Sequence, residues 1–166
     1  ALILGLLNAY DQEPDDSGTA LTLWVPTTVS MLAAATLSEY VGTTPGQASY
    51  VHSGGIWTGL STVLFAAALS DEPTDEGMWT VAMVGYNVGL AAGLLTAGHV
   101  QPRVSRVRFL DLGALAGGLT VGGLLIGSEA DARPTAFGTG AGIVGGTVVA
   151  WLLTDGMPKD VPDDPS

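Results

Sequence analysis

Residues 78–100 read MWTVAMVGYNVGLAAGLLTAGHV, and residues 135–153 read TAFGTGAGIVGGTVVAWLL. Each stretch is close to the ~20 apolar residues a helix needs to cross a bilayer core. Gly85, Gly89 and Gly93 recur every fourth position in the first, and Gly138, Gly142 and Gly146 in the second. Residues four apart lie on one face of a helix. Rows of glycine make a smooth groove there, into which another backbone can settle, the small-xxx-small packing of membrane helices. In water each glycine weakens a helix by roughly 1 kcal/mol relative to alanine. In hydrocarbon an unpaired backbone group is worse still, so the helix is enforced. Membrane-spanning strands run only about 9–11 residues with alternating polarity, and no such alternation is sustained here. The remaining rival is a soluble, glycine-rich helical module.

Working outward, five apolar segments emerge: 19–41, 50–70, 78–100, 107–127 and 135–153. Between them lie the acidic loops 11–18 and 71–77, an uncharged Pro-Gly turn over 42–49, a basic link over 101–106 and a polar loop over 128–134. The sequence therefore predicts an all-α, multi-span transmembrane bundle of about five helices over 19–154, with glycine-zipper packing. Residues 1–18 read as a truncated or processed helix end followed by an acidic loop, and 155–166 as an acidic, proline-bearing flexible tail. The third segment's neighbours carry the same glycine spacing: Gly55 and Gly59 in 50–70, Gly113 and Gly117 in 107–127. Aligning Gly55 with Gly113, Gly59 with Gly117, Gly85 with Gly138, Gly89 with Gly142 and Gly93 with Gly146 suggests a duplicated helical hairpin. In each glycine row the interposed bulky residues, Leu90 and Ile143, are expected to point away from the tightest contact.

Composition supports the membrane reading. Of 166 residues, 47% are hydrophobic and 13% charged, against roughly 25% charged in soluble domains. The net charge of −11 leaves no basic footprint for nucleic acid. Cysteine is absent, which removes disulfides, thiol catalysis and cysteine metal sites. His52 and His99 stand in no metal-ligand frame, and no nucleophile elbow or phosphate loop is present. The carboxylates of 11–18 and 71–77 do not follow the spacing of a calcium loop. No enzyme activity and no cofactor are expected.

Ionisable groups inside apolar segments are costly and are the default functional candidates. They are Glu39, His52, Arg108 and Asp111, which would form a polar pathway at one end of the bundle. The plainer reading is a set of interfacial groups, with Arg108 paired to Asp111 three residues on. Asn87 is a candidate for hydrogen bonding between helices. The expected function is thus a structural or assembly subunit, in contact with the bilayer and with other membrane subunits or further copies of itself. A small channel or transporter is the alternative. Because cytoplasmic loops carry excess Lys and Arg, the 101–106 link and the C-terminus are expected to be cytoplasmic.

Alternation of the segments places 71–77 and 128–134 on one side and 101–106 on the other. Single cysteines at Thr74, Ala130 and Gln101, probed with an impermeant reagent, are expected to divide two against one. Labelling of all three from the same side would refute the topology.

Overall fold

The computed structural model describes residues 43–160. The segment 19–41, the acidic loop 11–18 and Glu39 lie outside the described residues. Four helices follow in order: α1 Pro45–Leu69, α2 Asp75–Val100, α3 Val104–Gly127 and α4 Ala132–Leu153. No strand occurs among the described residues.

Helix starts explain where the boundaries depart from expectation. Residues 45–49 of the turn read over 42–49 form the first part of α1. Thr44 and Gln47 close a capping box: Gln47 N–H donates to Thr44 Oγ1 at 3.2 Å and Thr44 N–H donates to Gln47 Oε1 at 3.0 Å. Pro45 sits at the first helical position, where its missing N–H would have had no partner anyway. Gly46 is buried, and a Cβ there would collide with the backbone of Pro102 and Arg103. Pro-Gly here is thus a helix entry fitted beneath the α2–α3 link. Thr74 caps α2 by accepting from Gly77 N–H at 3.2 Å.

The helices pair as two antiparallel hairpins, α1 with α2 and α3 with α4, and α1 also packs on α4 and α3. Phe65 meets Phe137 at 5.3 Å between ring centroids, and Tyr50 meets Trp151 at 6.2 Å, at opposite ends of the α1–α4 contact. Arg133 donates to Asp71 at 2.9 Å, which ties the 71–77 and 128–134 loops together at one end of the fold.

Helices α2 (over Gly77–Val100), α3 and α4 are long and apolar enough to cross a membrane, as in an integral membrane protein. Helix α1, read from sequence as one of five spans (50–70), is not among them. Several of its polar side chains are turned inward: Ser61 is buried, and Ser53 and Trp57 bond to α3, while His52 stays exposed. The helix that falls short of a span is therefore the one with the most neighbours. Elsewhere the large apolar side chains face outward, among them Leu95, Leu124, Leu152 and Leu153. A bundle that is apolar outside and small or polar inside reverses the arrangement of a water-soluble protein.

Glycines line both hairpin contacts. A Cβ on Gly89 would lie 2.8 Å from Thr58 Cβ, one on Gly85 2.6 Å from Thr62 Oγ1, and one on Gly93 2.9 Å from Val51 Cα. Gly59 approaches the Ala82 carbonyl, where a Cβ would stand 3.2 Å away. In α3–α4 the approach is backbone to backbone: a Cβ on Gly117 would lie 2.9 Å from Gly146 Cα, and one on Gly142 2.9 Å from the Gly117 carbonyl carbon. Gly113 faces the Gly146 carbonyl and Ala150. Gly55 and Gly138 differ, since each meets side chains, Tyr86 and Leu90 in one case and Leu125 and Val121 in the other. The proposed repeat does not carry over contact by contact. Gly89 packs near Gly54 and Thr58, whereas its counterpart Gly142 packs near Gly117, a register displaced by about one turn.

The bulky neighbours correct another expectation. Ile143 is buried at 4% exposure and packs on Gly118, and Leu90 packs on Gly55. Both fill second layers beside the glycine rows because successive helical positions are only about 100° apart.

Gly117→Leu is expected to destabilise the bundle by about 1–3 kcal/mol through overpacking. Gly145→Leu is the control, because a Cβ on Gly145 meets nothing within 4 Å. Melting in detergent would compare them; equal melting of both variants would refute a packing role for the Gly117 contact.

Candidate functional site

Of the ionisable residues singled out by sequence, His52, Arg108 and Asp111 lie among the described residues, and Asp111 is the one of these three that bonds to another helix. It lies about 10 Å along α3 from Val104 at ~1.5 Å per residue. One carboxylate oxygen, Oδ1, accepts hydrogen bonds from Ser53 Oγ and from Trp57 Nε1, the latter at 2.8 Å. Both donors stand on α1, four residues apart and hence on one face. The carboxylate thus joins α1 to α3 at a half-buried position. Two donors aimed at one carboxylate oxygen fix its orientation.

The other candidates are not gathered around it. His52 and Arg108 are exposed, and Glu39 lies outside the described residues. The ion pairs found among the described residues are Arg133–Asp71 and Arg106–Asp155, so Arg108 and Asp111 do not pair. Asp111 turns toward α1, while Arg108, most of a turn earlier, stays at the surface. Asn87, expected to bond between helices, donates instead to the Met83 carbonyl of its own helix at 2.7 Å. Such back-bonding to the preceding turn satisfies the amide locally.

Sequence reasoning missed Ser53, since a serine in an apolar run carries no distinguishing mark. Trp57 stood out only by lying two turns from a segment end. It also passed over Arg106, placed in a solvated link. The structure makes Arg106 the third residue of α3, with its side chain 5% exposed. Its guanidinium carbon stands 4.5 Å over the Trp151 ring, and its nearest carboxylate, Asp155, is 3.5 Å from Nη2. Neither Nε nor Nη2 has a hydrogen-bond partner among the described residues. Desolvating a cation costs several kcal/mol, and a cation–π contact returns about 2 kcal/mol when desolvated. This charge is therefore only partly compensated.

A third feature is an open groove of about 990 Å³ along the outer side of α3 and α4, lined by Phe109, Leu112, Ala116, Phe137, Gly145 and Leu153 among others. It is apolar almost throughout. No group of three or more His, Asp or Glu side chains able to hold a metal ion occurs among the described residues. Searches of family models, curated proteins and solved structures each find no match to the chain.

The Asp111 contacts act as a unit. Trp57→Phe removes one donor, and the loss is expected to be near 0.6 kcal/mol and at most about 1.7 kcal/mol, the range for polar contacts between membrane helices. A double-mutant cycle with Asp111→Asn, read by thermal melting in detergent, should be non-additive. Additive losses would mean that the two side chains are not coupled.

Proposed function

We propose that the chain is a structural or assembly subunit of a membrane, a bundle that packs through glycine-zipper faces and presents an apolar exterior to lipid and to neighbouring subunits. The observation that carries this reading is the reversed distribution of side chains. Leu95 and Leu153 are 79% and 81% exposed while Gly85, Gly89, Gly93, Gly118, Gly122 and Gly142 are buried. Water would penalise that surface heavily, whereas hydrocarbon accepts it. Close backbone approach then supplies the dispersion contact that hydrophobic burial cannot supply in lipid. Assembly with further copies or other membrane subunits follows from the same surface.

Orientation is part of the proposal. All the basic side chains except Arg133 belong to the end that holds the α2–α3 link and the close of α4: His52, His99, Arg103, Arg106, Arg108 and Lys159. Excess Lys and Arg mark the cytoplasmic side, so this end is assigned there. A transport function is the second reading, favoured by Asp111, a carboxylate held between two helices within a stretch suited to span a membrane.

Two measurements divide these readings. A subunit of the proposed kind stays in the membrane fraction after alkaline washing and migrates in mild detergent as an assembly larger than one chain. Release without detergent would defeat both readings, and migration as a single chain would defeat the assembly reading. Ion flux in liposomes that Asp111→Asn abolishes would replace the structural function by the transport one.

A further inference from the structure

Arg106 is a buried cation with two nitrogens whose hydrogen-bonding capacity is unused. Among the described residues its Nε and Nη2 have no hydrogen-bond partner, and the side chain is 5% exposed. The Asp155 carboxylate lies 3.5 Å from Nη2, beyond the ~2.7–2.9 Å of a charge-assisted hydrogen bond. Asp155 itself is 79% exposed, in the turn that follows α4. An exposed carboxylate at long range, opposite a buried guanidinium with idle donors, is a weak occupant of a strong anion site.

The surroundings add to this. Arg106 occupies the first turn of α3, whose N-cap residue, Arg103, makes no side-chain capping bond. The helix N-terminus therefore offers uncapped N–H groups and the positive end of the helix dipole. Arg103 Nε donates to the Lys159 carbonyl at 3.3 Å, and Asp160 N–H donates to the Gln101 carbonyl at 2.8 Å. The residues after α4 thus lie across the α2–α3 link, held to Arg103, which stands three residues before Arg106 at the start of α3. Trp151 lies under the guanidinium and against Tyr50. Aromatic rings of this kind favour the level of the lipid headgroups.

We infer that Arg106, with Arg103 and the α3 N-terminus, binds the phosphate of an anionic membrane lipid, which takes the place that Asp155 holds in the unliganded chain. The guanidinium fork matches two phosphate oxygens. Trp151 holds the cation from its other face, and Asp155, being exposed, swings away into solvent. The bilayer reading supplies only the source of the phosphate; the recognition chemistry stands on the side chains.

The test uses the full chain purified in detergent, with retained phosphatidylglycerol measured by native mass spectrometry. The parent is expected to retain this lipid in preference to phosphatidylcholine. Arg106→Gln should weaken retention by roughly tenfold or more, as expected for loss of one partner of a buried charge pair. Asp155→Asn should strengthen it several-fold by removing the competing carboxylate, which is the opposite of what a purely structural ion pair would do. Arg133→Gln, at the other end, should leave retention unchanged. Inorganic phosphate at millimolar concentration should displace the lipid from the parent. Equal retention by Arg106→Gln, weaker retention by Asp155→Asn, or failure of phosphate to compete would each overturn the assignment. Binding of inorganic phosphate with no lipid adduct would overturn the lipid source. A chain that washes from the membrane without detergent would refute the bilayer reading alone, since phosphate binding by the parent and by Arg106→Gln would still decide the role of Arg106.

Discussion

The contact on which the bundle turns is the approach of one helical backbone to another where side chains are missing. Gly113 and Gly117 of α3 face Gly146 and Gly142 of α4 so closely that a single added carbon has no room. Membrane helices gain little from burying apolar side chains against one another, because lipid tails offer the same surroundings. Dispersion between closely fitted atoms is what remains, and it decays steeply with any gap. The helical backbone keeps its own hydrogen bonds throughout, so it can be brought into contact without leaving polar groups unpaired.

This constraint distributes the other residues. With glycine and alanine in the contacts, the large side chains go outward, as Leu119, Leu124, Leu152 and Leu153 do. Helix α1 is the exception that completes the arrangement. It has polar groups that lipid would penalise, and it lies against the other three helices. Ser53 and Trp57 find a carboxylate in Asp111, while Thr62 bonds back to the Thr58 carbonyl at 2.6 Å and covers Gly85. These donors are satisfied either across a helix contact or along their own turn, as a low-dielectric interior requires.

The two ends of the bundle differ in kind. Where Asp71, Glu72, Glu129 and Asp131 gather, the groups are exposed, and the pair Arg133–Asp71 is a solvated contact of small energetic weight. At the opposite end Arg106 is buried against Trp151, and the stretch after α4 folds back over the α2–α3 link. Charge that is screened at one end is thus desolvated at the other, and desolvated charge is where binding energy can be drawn.

Spacing alone determined the helical class, the long apolar segments and the faces on which Gly85, Gly89, Gly93, Gly113, Gly117, Gly142 and Gly146 lie, because a helix converts a period of four directly into a face. It determined the acidic stretch that opens at Asp71 as a boundary for the same local reason. Which helix a face meets, and at what register, is not a local property: the α1–α2 and α3–α4 contacts differ by about one turn although their glycine patterns align. Only the tertiary structure placed Gly46 beneath Pro102, turned Asp111 to Ser53 and Trp57, buried Arg106 and drew Ile143 inward. Each of those outcomes depends on residues roughly 45 to 60 positions apart, except Ile143, whose partner Gly118 comes from the facing helix of its own hairpin. A side chain's cost in an apolar medium is legible from its type, but its partner is chosen by the packing of a distant helix.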